Sequence, residues 1–98
     1  MTPMTASAYE VAKAGGAHEN FLRDYSKLPD HLIEKAIRSI NRVVAQHEVW
    51  IADPKAKLGQ GANTDRMRRL ADDKWPKDIA RQREQIDILR AILKERKK

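Results

Sequence analysis

The chain has 98 residues, 35% of them charged, with no cysteine and a formal net charge of +6. That length makes one domain with a modest core. The composition excludes disulfide staples, cysteine metal ligands and, with no run of about 18 apolar residues, a membrane span. The N-terminal MTPMTASAYE lacks the basic and apolar stretches of a secretory signal. Residues 1–26 carry two basic and three acidic side chains, residues 27–52 four and three, and residues 53–98 fourteen and eight. The positive excess therefore sits in the C-terminal half, where it suits a phosphate backbone, an acidic partner or simply a well-solvated surface.

Residues 5–14 read as a short helix that Thr5 or Ser7 can cap and Gly15-Gly16 would stop. Residues 1–16 are also candidates for a mobile arm. Residues 17–26 read as a second short helix with Phe21, Leu22 and Tyr25 on one face, able to serve as a docking arm. Pro29 fits the first position of a helix, and Asp30 and Glu34 favour its first turns.

The first long helix is expected over residues 29–52. Ile33, Ile37, Ile40, Val44, His47 and Ile51 step by alternating intervals of four and three, which places them on one helical face. Leu32, Ala36, Val43 and Trp50 form a second apolar row beside that seam, and the N-terminal segments are the nearest elements to cover it. Asp53-Pro54 ends the helix, because a residue before proline disfavours the α region. Residues 53–63 read as a loop. Asn63 or Thr64 can cap a short helix over 64–72 that carries Met67, Leu70 and Ala71 on one face and Arg66, Arg68 and Arg69 on another. Trp75-Pro76 opens the second long helix, over 76–96. Its ladder of Trp75, Ile79, Gln82, Ile86, Leu89 and Leu93 repeats the spacing of the first.

The expected fold is all-α. It is a small helical bundle built on an antiparallel hairpin of two long helices (about 29–52 and 76–96), with short helices at the N-terminus and in the connection. Residues 1–98 are read as a single helical domain.

Each ladder is broken once by a polar residue, His47 in the first and Gln82 in the second. In an antiparallel pair these fall at one level, with Trp50 and Trp75 close by and Glu48, Asp78 and Arg81 flanking. Such a pair can simply fix register, with the tryptophans as core aromatics. It can also hold His47 as a general acid or base, supported by Gln82 and Trp50. Gly15-Gly16 would let the chain turn and present His18 beside Asn20, Arg23 and Tyr25. Arg66, Arg68, Arg69, Lys74, Lys77 and Arg81 form a dense basic stretch around Trp75, a candidate surface for phosphates and a stacked base.

Other chemistry lacks its motif. His31 and Glu34 have metal-ligand spacing but stand as one pair, and His-Glu-x-x-His is absent. Gly59-Gln60-Gly61 lacks the Lys-Ser/Thr of a phosphate loop. No serine sits in a nucleophile elbow, and no helix-turn-helix, zinc-finger or basic-zipper spacing occurs. No metal and no cofactor are expected.

The words GGAHENFLRDY, EKAIRSINRVVAQHEVWIADP and KWPKDIARQREQIDIL, over about residues 15–93, resemble a small C-terminal effector module of bacterial polymorphic toxins of the contact-dependent or Rhs type. That resemblance implies a toxin domain paired with an immunity protein, carried on a larger secreted protein and acting in the cytoplasm of another cell. Many such modules are nucleases. On that analogy His18 and His47 are the acid/base candidates, with arginine or lysine on the phosphate. The sequence reading is a metal-independent nuclease, RNase rather than DNase, with RNA or DNA as partner. Its alternatives are a non-catalytic helical interaction or homodimerisation module, and a nucleic-acid binder without chemistry.

Overall fold

A computed structural model of the chain describes residues 7–53 and 64–97. Thr5, the 53–63 loop beyond Asp53, and Asn63 as a cap lie outside these residues, as does the Thr64 side chain. Among the described residues every regular element is helical and there is no strand. The elements are α1 (Ala8–Lys13), α2 (Glu19–Tyr25), α3 (Asp30–Ala52), α4 (Thr64–Arg69), a π-helical turn (Leu70–Lys74) and α5 (Trp75–Arg96). This is the expected all-α fold, with two long helices and short ones before and between them.

Local chemistry sets the ends. Ser7 caps α1, its hydroxyl accepting from the Glu10 N–H at 3.2 Å. Past the helix, the Gly15 N–H donates to the Ala12 carbonyl at 3.1 Å and the Gly16 N–H to the Val11 carbonyl at 2.9 Å. These two bonds make a Schellman motif, and it needs the left-handed φ of +94° that Gly15 supplies. Within α1, Ala12 is buried, at 1% exposed. The Pro29 carbonyl accepts from the Leu32 and Ile33 N–H groups, which puts Pro29 just ahead of α3, one residue outside the expected helix.

The short helix before Trp75 does not stop. It runs through the π turn into α5, where the Trp75 N–H reaches back five residues to the Leu70 carbonyl. Pro76 explains this. It has no N–H for an ordinary helical bond, and its ring crowds the carbonyl four residues earlier. The wider π turn absorbs that crowding without ending the helix.

The chain divides into two compact units, Met1–Ser39 with Glu84–Lys98, and Ile40–Arg83. In the first, the core is Ala12, Ile33, Ile86, Ile88, Leu89 and Ile92. Arg96 near the end of α5 pairs with Asp30 at the start of α3 at 2.6 Å, and donates to the Ser26 carbonyl at 2.8 Å. In the second, Val44, Trp75, Ile79 and Gln82 are buried, and Arg83 pairs with Glu48 at 2.9 Å. In the second unit Glu48 meets Arg83 while Trp50, further along α3, meets Trp75, earlier on α5, so the two helices run antiparallel there.

All twelve ladder residues are buried or half-buried. The second row on α3 is a correction. Leu32 and Val43 are 38% and 44% exposed, while Ala36 and Trp50 are half-buried, so that row is not a continuous buried face. The wider apolar face belongs to α5, where Ile88 and Ile92 lie beside the ladder and are 0% and 5% exposed. The chain between α1 and α3 meets α5 through His18 with Glu84 and Ser26 with Arg96.

Candidate functional site

The first candidate lies in the first unit. After the Gly15-Gly16 turn, His18 takes a left-handed conformation (φ +68°) and its carbonyl accepts from the Leu22 N–H, which starts α2. A left-handed non-glycine residue is uncommon, though histidine tolerates it better than branched residues. The side chain is 15% exposed, and Nε2 lies 3.5 Å from Oε2 of Glu84. The ring meets Phe21 edge-on with centroids 6.4 Å apart, and Phe21 lies against Tyr25 at 4.4 Å. Nδ1 makes no hydrogen bond to any described residue. Ala8, Val11, Ala17, His18 and Glu84 line a cleft of about 280 Å³. The expected setting beside Asn20, Arg23 and Tyr25 is therefore corrected: the polar partner is Glu84, and Arg23 lies beside Asp24 at 3.8 Å.

The second candidate lies in the second unit. His47 Nδ1 donates to the Val43 carbonyl of its own helix at 2.9 Å, since a carbonyl can only accept. Nε2 lies 3.7 Å from Asp78. The ring stands edge-on to Trp50 at 5.2 Å, and Trp50 lies against Trp75 at 5.6 Å. The expected His47–Gln82 pair does not form. Oε1 of Gln82 is buried with no partner among the described residues. Asp78, one helical turn before Gln82, takes the histidine and also meets Lys74 at 3.1 Å and Arg81 at 3.4 Å. A carboxylate at the seam's edge keeps some water, two cationic partners and the imidazole. Deeper in the seam it would lose them.

The basic stretch is largely internally paired. Lys74 and Arg81 hold Asp78, Lys77 holds Asp73 at 2.8 Å, and Arg83 holds Glu48. The hydrogen bond and charge of Asp73 raise the Lys77 ammonium above its ordinary 10.5. Arg66, Arg68 and Arg69 are exposed on α4. Trp75 is 4% exposed and packs on Trp50, so it offers no open face to a stacked base.

Thus His18 and His47 fall in different units, each with its own carboxylate, and the described cleft is lined by His18 without His47. The two also differ chemically. Both ring nitrogens of His47 face protein groups, whereas Nδ1 of His18 has no hydrogen-bond partner among the described residues. Sequence reasoning missed Glu84, one of several acidic residues on a heavily charged helix, with no motif to single it out. Among the described residues no three His, Asp or Glu side chains come together as metal ligands, and His31 stays exposed beside Glu34 without a third group. No protein-family model, curated protein or solved structure matches this chain.

Proposed function

We propose that this chain is a toxin-type effector domain that acts on nucleic acid as a metal-independent ribonuclease, with His18 as its proton-transfer group. The observation that carries this reading is the cleft histidine, 15% exposed, with Nε2 3.5 Å from Glu84 and no hydrogen bond from Nδ1 to any described residue. An imidazole with one nitrogen held and the other open is the usual form of a general base near neutral pH. RNA suits a site with one such group, because it carries its own nucleophile. His18 takes the ribose 2′-hydroxyl proton, the 2′-oxygen attacks the adjacent phosphorus, and the P–O5′ bond breaks. The imidazolium then returns its proton to the leaving 5′-oxygen. The products are a 2′,3′-cyclic phosphate and a 5′-hydroxyl. DNA has no 2′-hydroxyl and is spared by this route.

The net charge of +6 draws a polyanion, and Arg66, Arg68 and Arg69 on α4 are exposed for phosphate contacts. His47 becomes a structural residue in this reading, with Trp50 and Gln82. The resemblance to polymorphic-toxin ends adds an immunity protein as partner and delivery to the cytoplasm of another cell.

The test is incubation of the purified protein with total RNA and with plasmid DNA, with and without chelator, beside His18→Ala and His47→Gln. RNA cleaved to cyclic-phosphate ends, plasmid left intact, chelator without effect and at least ~100-fold loss in His18→Ala alone are expected. Uncut RNA with a folded wild type, or cleavage by His18→Ala at the wild-type rate, overturns the reading.

A second reading, a helical interaction or homodimerisation module, draws on the apolar side chains that α3 leaves exposed. Leu32, Val43 and Val49 are 38%, 44% and 53% exposed. In that case solution mass rises with concentration and Val43→Asp abolishes the rise.

A further inference from the structure

We infer that Glu84 is the positioning residue of the His18 site: it holds the imidazole as the Nε2–H tautomer, so that Nδ1 is the atom that exchanges the proton. The chemical consequence rests on the ribonuclease reading, while the positioning itself does not.

An ionised carboxylate can only accept, so the nitrogen beside it is the one that carries hydrogen. Oε2 of Glu84 lies 3.5 Å from Nε2 of His18, an ion-pair contact longer than a formed hydrogen bond, and a carboxylate on that side favours the hydrogen on Nε2 and the lone pair on Nδ1. A carboxylate that fixes the tautomer and the plane of a catalytic imidazole is a recurrent arrangement, and it acts without touching the substrate. The backbone is fixed on both sides. His18 is fixed through its own backbone, with its carbonyl bonded to the Leu22 N–H at 2.9 Å and its ring against Phe21. Glu84 stands on the 22-residue α5, and Ile88 one turn further on is fully buried. The Gly15-Gly16 turn sets the approach. A Cβ on Gly16 would come within 2.7 Å of Val11 Cγ1 and 3.0 Å of the Val11 carbonyl oxygen, and Val11 is a wall of the same cleft. His47 provides the internal contrast. Its Nδ1–H is spent on the Val43 carbonyl, so the carboxylate at its Nε2 leaves no open nitrogen.

The Glu84 side chain is 49% exposed, so water competes for its oxygens and the effect is graded rather than absolute. The test uses the full chain with 15N-labelled histidine. Ring-nitrogen NMR is read at a pH where His18 is neutral, in wild type, Glu84→Ala and the near-isosteric Glu84→Gln. Expected is a protonated Nε2 and a bare Nδ1 at His18 in wild type. Glu84→Ala should give a tautomer mixture, and Glu84→Gln, which keeps an acceptor oxygen, should lie between them, with the His47 signals unmoved. An unchanged His18 tautomer in a folded Glu84→Ala protein overturns the assignment. With RNA as substrate, Glu84→Ala should lower kcat about tenfold at constant KM, and Glu84→Gln less. An equal fall in both variants, or a rise in KM alone, also overturns it. Since the NMR readout needs no turnover, a wild type that leaves RNA intact removes the ribonuclease reading while the tautomer still decides what Glu84 does.

Discussion

Asp78 offers the sharpest test of how the second unit is held together. Its carboxylate is 14% exposed and faces two cationic groups, Lys74 at 3.1 Å and Arg81 at 3.4 Å, and the His47 imidazole at 3.7 Å. Distance alone would rank Lys74 first. Burial reverses the order. The Lys74 and Arg81 side chains are 63% and 57% exposed, so each contact is an ordinary helix-surface pair worth about 0.3–0.5 kcal/mol. The His47 side chain is 12% exposed and bridges α3 and α5, so with its imidazole protonated the pair contributes about 1 kcal/mol. The sum for Asp78→Ala is about 1.5–2 kcal/mol. For a domain of this size that is a melting temperature lower by roughly 6–16 °C. Thermal melts followed by circular dichroism at pH 6 measure it. Double-mutant cycles of Asp78→Ala with His47→Gln and with Lys74→Met separate the two contributions. The reasoning is refuted if Asp78→Ala melts within about 0.5 kcal/mol of wild type, a change typical of a neutral surface site. It is refuted equally if the coupling to Lys74 exceeds the coupling to His47.

Three further outcomes follow from the packing. Ile88→Ala removes a fully buried side chain from the first unit and should cost about 3 kcal/mol in chemical denaturation; a loss under about 1 kcal/mol would mean that α5 is not covered there. Gln82→Met replaces an acceptor that is buried without a partner by an apolar side chain of similar length, and should raise stability by about 1 kcal/mol. A lower melting temperature in that variant would show that Oε1 does find a donor. Lys77 should titrate above its ordinary 10.5 in a side-chain NMR titration and return to it in Asp73→Asn. With the folded value raised, the contact is fully present below 10.5 and is lost as pH climbs through the raised value; identical titrations in both proteins would exclude the Asp73 contact.

Much of the architecture is written locally. Each element that the sequence analysis expects rests on short-range physics. The four-three spacing marks a face. Ser7 supplies a cap, Gly15 supplies a left-handed φ, and the step from Asp53 to Pro54 ends a helix. Pro76 illustrates the limit of that logic. The same residue that suits a helix start is also tolerated inside a helix when a π turn widens the preceding backbone, and Leu70–Lys74 does so. The width of the apolar face was assigned to the wrong helix, although the signal was there. Ile86, Ile88, Leu89, Ile92 and Leu93 crowd one stretch of α5, a denser set than the row of Leu32, Ala36, Val43 and Trp50 on α3.

The sites were less legible, because they depend on contacts between residues far apart in the chain. Periodicity assigns His47 and Gln82 to a face, but it does not resolve which turn of the facing helix each one meets. A shift of one turn exchanges Gln82 for Asp78, and the choice is made by desolvation: the carboxylate stays at the watered edge with its cations while the neutral amide is buried. Trp75 likewise looks like a stacking platform among basic residues until Trp50 covers it. The partner of His18 is further still from prediction. Glu84 reaches it only because Gly15 and His18 both adopt positive φ and bring the chain around onto α5. The sequence by itself thus determined helices, their ends and their buried faces, since these follow from spacing and backbone preference. The tertiary structure decided which carboxylate meets which histidine, because that choice depends on water exclusion and on the path of the chain between helices.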